Sequence, residues 1–374
     1  MPDPTDRASA VLDIDLGAVV DNWRFLAATA APAAGSAVVK ANGYGLGAAP
    51  VARALRAAGC RRFYVATLDE GIALRNALGP EPEIAVLNGP PPGSAADFVA
   101  DRLIPVLNDL GQIACWQREA ARQNGLAAFL HIDTGLARLG LSAREIADLA
   151  GDPGRAGAIR WRGLISHLAC ADAPDHPLNA LQRERFIAAG RYWPELPASL
   201  AASSGIFLGP RFHFAEVRPG AALYGANPCP GKPNPMRPCV RLQARIVQLR
   251  QIDRGESVGY GAAHVMDRPG LLAIAAVGYA DGWLRSLSHR GCGWFAGRRV
   301  PLLGRVSMDL ATFDVSAVDP SHLKPGAMIE LLGTEYGVDA AAADAGTIGY
   351  EILCALGQRY RRVYRNAPAE SPPG

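Results

Sequence analysis

No stretch of this chain approaches the roughly 20 consecutive apolar residues that cross a bilayer. The opening residues, MPDPTDRASA, form neither an apolar signal core nor a basic transit helix. The expectation is therefore a cytoplasmic protein with no membrane partner. Like charges never run to five or six in a row, and a formal net charge of +3 is small for 374 residues. An interaction tail and a nucleic-acid partner are both disfavoured. No CxxC pair occurs. The seven cysteines are odd in number and scattered, so they read as free thiols rather than as a disulfide framework or a metal site. No GxGxxG fingerprint follows an early strand, which counts against a dinucleotide fold.

What is present is periodic. After an opening VLDIDL and a helix-like segment over 16–30, strand-like runs recur at 37–40, 62–67, 83–88, 103–108, 127–133, 162–168, 198–203 and 216–219. Alanine- and leucine-rich amphipathic segments separate them, among them 50–59, 67–79 and 110–125. Strands alternating with helices argue for parallel βαβ units, and the count of eight matches a closed (β/α)8 barrel. An open doubly wound sheet is the rival. The segment 226–239 then holds five prolines and reads as a linker. Beyond it, 241–252, 271–282, 297–310 and 327–333 are β-like with turn signals between them. These predict a smaller, mostly antiparallel β domain. A helix is expected over 347–360, followed by a polar tail. The domains are read as a barrel over 11–233 and a β domain over 234–374.

The functional face of a parallel barrel lies at the carboxyl ends of its strands. Lys40 ends the apolar run AVVK there. Desolvation at such a place lowers an amine's pKa and makes it nucleophilic. A glycine-rich turn with Tyr44 follows at once, where backbone amides approach an anion closely. A reactive lysine beside an anion cradle is the arrangement that pyridoxal 5'-phosphate needs. Other strand ends carry Arg138, His167, Ser203, Ser204 and Arg218. Each alone has a plain reading as a surface or core residue. Their sharing one barrel edge is the argument for a site.

The motifs VVKANGYGLG, HIDTGLARLGL, SHLACAD, VRPGAALYG, VGYGAAHV, VGYADGWLR and LLGRVSMDL occur in that order. The set resembles the alanine racemase family, over about 12–360. The resemblance implies a pyridoxal-phosphate enzyme that interconverts L- and D-alanine for peptidoglycan. Lys40 would hold the cofactor covalently and act as one base, with Tyr260 as the other. Tyr260 would contact His167, which contacts Arg218, and Arg218 would face the pyridine nitrogen. Tyr44, Ser204 and the amides of Gly220 and Ala221 match phosphate contacts. Arg138 and the Met308 amide match substrate-carboxylate contacts, with Asp309 beside them and Tyr279 near the mouth. In the family, Tyr260, Tyr279 and Met308 reach the site from a second subunit, so a homodimer with shared sites is implied.

Two positions depart from the pattern. Many members carry a carbamylated lysine that props the arginine matching Arg138, whereas this chain has His131, and Asp133 is the candidate support. A further family tyrosine near the C-terminus aligns with Gln358, with Tyr350 and Tyr360 nearby and unassigned. A broader amino-acid racemase of the same family is the alternative function. A barrel-only cofactor carrier is disfavoured by Tyr260 in the second domain. A decarboxylase of similar architecture is disfavoured by Arg218 and Ser307.

Overall fold

The structure is a computed structural model, and it describes residues 7–367. The first six residues of the opening segment and the end of the polar tail lie outside the described residues. The opening strand, Ala10–Asp15, buries Leu12 and Ile14. The Asp15 carboxylate then accepts from the Ala18 amide at 2.9 Å and caps the helix Leu16–Ala30.

Eight staves follow. Ala34–Gly35 and Ala37–Val38 form the first, and the others are Arg62–Val65, Glu83–Val86, Ile104–Leu107, Leu126–His131, Ile159–Ile165, Ala198–Ser199 and Glu216–Val217. Neighbours pair in parallel from the first stave to the seventh. The eighth closes the ring on both sides. The Ser36 and Val38 amides donate to the carbonyls of Val217 (3.1 Å) and Pro219 (2.9 Å), and the Arg218 amide donates to Ala201 at 2.9 Å. The sequence expectation of a closed barrel is met. Val38, Tyr64, Ala85, Val106, Phe129 and Ile165 pack together inside it. They come from the first six staves, so the interior is a filled core.

The second sheet is built on the long strand Val240–Ile252, which pairs antiparallel with both Met328–Leu332 and Gly270–Ala275. The chain of neighbours runs on through Ala311–Asp314, Arg298–Leu303 and Cys292–Phe295, and so closes a second, antiparallel ring. Ala10–Asp15 extends this sheet, pairing antiparallel with Val240–Ile252 and parallel with Arg361–Arg365. The proline-rich segment 226–239 is irregular but held: Asn22 accepts from the Arg237 amide at 2.8 Å and donates to its carbonyl at 2.9 Å.

Three sequence expectations are corrected. The last helix covers only Gly349–Ala355, and the strand Arg361–Arg365 follows it. The chain leaves the helix at Leu356, and the Gly357 amide donates to the Asp281 carbonyl at 2.9 Å rather than to the preceding turn. The β-like segments 271–282 and 297–310 are strands only as far as Ala275 and Leu303. Their remainders are two loops in close contact. The amides of Tyr279 and Ala280 donate to the carbonyls of Ser307 and Met308, each at 3.0 Å. A Cβ on Gly278 would stand 2.2 Å from the Met308 oxygen, so only glycine permits that contact.

Candidate active site

Lys40 sits two residues past its stave and opens a turn of unusual hand. Ala41, Asn42, Gly43 and Tyr44 all have φ between 52° and 62°. A left-handed conformation costs roughly 1–2 kcal/mol for each L-residue, so the surroundings must hold it. Glu70 takes the Ala41 amide at 2.6 Å, Asn42 Oδ1 takes the Ala48 amide at 3.0 Å, and Arg362 and Tyr364 donate to the carbonyls of Gly45 and Leu46. The turn directs Tyr44 onto Tyr224, with ring centroids 4.8 Å apart. Gly220 lies against the Tyr44 hydroxyl, where a Cβ would stand 2.4 Å from the oxygen.

The electrostatics around Lys40 match the sequence argument. Burial first, and Arg138 second, push its amine below the ordinary lysine value, with Glu70 and Cys354 opposing. His167 is driven down to about 3 by burial, then by Arg218, Arg138, Lys40 and His131. His131 is driven down to about 4 by burial, then by Arg218 and Arg138. Both imidazoles are therefore neutral at physiological pH. Arg218 is fully enclosed and donates to the Ser199 hydroxyl and the Ser166 carbonyl. Lys40, Arg138, His131, His167 and Arg218 thus share one end of the barrel within electrostatic reach of each other.

Other candidates fall as follows. Ser204 lies in the short helix Ser203–Ile206. Its neighbour Ser203 accepts from the amides of Gly220 (3.0 Å) and Ala222 (3.2 Å), tying that helix to the loop after Arg218. Asp133 caps its own loop, taking the amides of Gly135, Leu136 and Ala137. His131 donates through Nδ1 to Asn108 Oδ1 at 2.7 Å. That direction follows because the Asn108 amide nitrogen is spent on the carbonyls of Leu87 and Val106. Tyr260, Tyr279 and Met308 belong to the second ring's loops and are 71%, 43% and 54% exposed. Asp309 pairs with Arg359 at 2.7 Å. None of the groups that shift Lys40 comes from these loops.

Sequence reasoning missed two contributors, Glu70 and Asn108, and left Tyr350 unassigned. Glu70 is legible only as the third helical residue of a Thr67 capping box, and its second bond to Ala41 leaves no local trace. Asn108 fixes a histidine 23 residues away. Tyr350, at the start of the last helix, helps push the Tyr44 phenol above its ordinary value, after burial and Cys354. Tyr360 is buried in the core, and Gln358 is exposed beside Arg359.

Fold and site together define a two-ring protein that carries a desolvated lysine amid arginines and neutral histidines at the mouth of its parallel barrel. Residues 14–228 match the family profile described as alanine racemase, N-terminal domain, and residues 239–364 match alanine racemase, C-terminal domain. An alanine racemase of Rhodospirillum rubrum is 52% identical over 96% of this chain and 96% of its own. A protein of Mesorhizobium japonicum named alanine racemase, catabolic, is 51% identical over 96% of this chain and 93% of its own. The solved alanine racemase of Bartonella henselae, with covalently bound pyridoxal phosphate, superposes with a TM-score of 0.92 at 39% identity, covering 96% of this chain and 99% of that one. The chain belongs to the alanine racemase family.

Proposed function

We propose that this chain interconverts L- and D-alanine with pyridoxal 5'-phosphate held at Lys40, and that Tyr260 of a second copy supplies the other base. The observation that carries the reading is the desolvated Lys40 amine within electrostatic reach of Arg138, His167 and Arg218. The residues fit the cofactor. Lys40 offers an amine for its aldehyde. Tyr44, Ser204, Gly220 and Ala221 would hold its phosphate, and the missing Gly220 side chain keeps room beside the Tyr44 hydroxyl. Arg218 supplies fixed donors for its ring nitrogen.

The bound cofactor supplies electron withdrawal that acidifies the substrate's Cα–H bond. Arg138 and the Met308 amide hold the substrate carboxylate. Lys40 Nζ moves the proton on one face of Cα and the Tyr260 phenol oxygen moves it on the other, so each enantiomer is made from its mirror image with the two roles exchanged. An arginine does not give up its proton in a protein. Arg218 therefore only donates, which keeps the electron pull modest and favours return of the proton to Cα over side reactions. His167, being neutral, links Arg218 to Tyr260. Asp309 and Tyr279 flank the mouth.

The exposure of Tyr260, Tyr279 and Met308 supports a shared site in a homodimer. We place the protein in the cytoplasm, making D-alanine for peptidoglycan. Relatives of Mesorhizobium japonicum and Agrobacterium fabrum named catabolic favour a second role, in alanine breakdown. Gene deletion separates the two, as D-alanine auxotrophy or as lost growth on alanine. The activity itself is tested by a chiral assay over a panel of L-amino acids with added cofactor. Alanine is expected to racemise fastest. Equal rates for larger substrates would favour a broader racemase, and no racemisation would end the proposal.

A further inference from the structure

Arg218 is a buried cation whose two direct acceptors, the Ser199 hydroxyl and the Ser166 carbonyl, are neutral. Its charge is answered one layer deeper. Glu216 lies two residues upstream on the same stave, so both side chains leave the strand on the same face. Glu216 Oε2 accepts from the Tyr64 hydroxyl at 3.1 Å and pairs with Arg62 at 2.7 Å. The ring of Tyr64 lies beneath Arg218, with the guanidinium carbon 5.9 Å from its centroid. Arg62 also pairs with Glu83 at 2.6 Å, and Glu83 with Arg162. Charges of alternating sign therefore run Arg218, Glu216, Arg62, Glu83, Arg162 through the barrel. Burial lowers the pKa of Arg218, and Tyr64 and Glu216 are the groups that oppose it. His131 and His167, at the ends of the fifth and sixth staves, feel its charge as neutral rings, together with that of Arg138.

We propose that Glu216 is a positioning residue for Arg218: the carboxylate sets how much positive charge the guanidinium presents at the barrel mouth, with the Tyr64 ring packed between the two as structural support. The inference rests on the reading that the cofactor ring faces Arg218. The packing of Tyr64 alone does not account for it, because a ring that merely fills the interior needs no buried carboxylate. Burying an ion is costly unless it is paired. Glu216 shares one charge between Arg62 and Arg218, which leaves Arg218 charged yet free of a direct carboxylate partner. Its protons remain available to the site.

The test is spectroscopic and uses the holoenzyme. Glu216→Gln removes one negative charge and keeps the shape. The site becomes more positive, and any protonated group on the bound cofactor loses its proton more readily. The midpoint of the pH titration of the visible absorption band is expected to fall by about one pH unit, the scale of one charge change in a protein interior. The effect on kcat should exceed the effect on KM for alanine. Tyr64→Phe keeps the charge count, so it should lower thermal stability and leave the midpoint in place. Should Glu216→Gln give no soluble protein, the double variant Glu216→Met with Arg62→Met leaves no unpaired charge at that pair and should still lower the midpoint, because Glu216 opposes the lowering of Arg218 by burial. An unmoved midpoint in the charge variants overturns the proposal. So does a Tyr64→Phe shift as large as that of Glu216→Gln, which would mark a purely structural role. If the parent protein gains no visible band with pyridoxal phosphate, it is the functional reading that fails.

Discussion

The Lys40 amine needs a neutral form to act as a base, and its burial beside Arg138 moves it that way. Tyr260 stands 71% exposed within its own chain. Replacing it with phenylalanine is expected to leave cofactor binding intact. Proton removal from L-alanine should slow by on the order of 10²–10⁴, the usual contribution of one acid–base group, as read by loss of the α-deuterium. Equal rates in parent and variant would remove Tyr260 from the mechanism. The two histidines make a separate prediction. Their native pKa values, about 4 for His131 and about 3 for His167, lie below the ordinary 6.5. Between those values the unfolded chain binds more protons than the folded one. Their contribution to stability is thus fully present above pH 6.5 and is lost as pH falls toward 4 and then 3. Thermal melts across that window should show a falling Tm. His131→Gln, which cannot titrate, should make the upper part of the fall shallower; an unchanged slope would contradict the neutral assignment. Lys40, Arg138, His167 and Arg218 could be nominated from sequence because a barrel places strand ends together. Glu70, Asn108 and Glu216 could not, since each acts on a partner 23 to 152 residues away through a bond that no local pattern records.

At the level of elements, the site depends on a turn that its own residues disfavour. Gly45 follows the left-handed residues with φ of 81°, and a Cβ there would stand 2.2 Å from the Leu353 carbonyl oxygen. Gly45→Ala should therefore cost more than about 2 kcal/mol, from the positive φ together with overlap against fixed backbone. It should also undock the helix Gly349–Ala355 that carries Tyr350. Chemical denaturation measures the first effect and cofactor affinity the second. Stability within about 0.5 kcal/mol of the parent, the ordinary range of a surface change, would show that the helix yields instead. The barrel staves were legible because short apolar runs recur between amphipathic segments. The terminal strand Arg361–Arg365 was not. Its sequence, RRVYR, carries three charges, and it is a strand because it pairs with Ala10–Asp15, where Arg365 meets Asp13 at 2.7 Å. The loops at 276–282 and 304–310 read as strand extensions for the converse reason: their apolar residues serve a crossing of two loops.

For the molecule as a whole, the two rings are stitched by chain ends. The first strand of the polypeptide lies in the second ring's sheet, and the last helix packs against the turn after Lys40. One copy thus joins its own rings firmly, yet leaves Tyr260, Tyr279 and Met308 facing outward. In the proposed function a second copy receives them. The direct measurement mixes Lys40→Ala protein with Tyr260→Phe protein, each inactive alone, under conditions of demonstrated subunit exchange. A mixed dimer would hold one site lacking both bases and one site retaining both, so equal pools should recover about one quarter of the parent activity. No recovery despite exchange would contradict a site built from two chains.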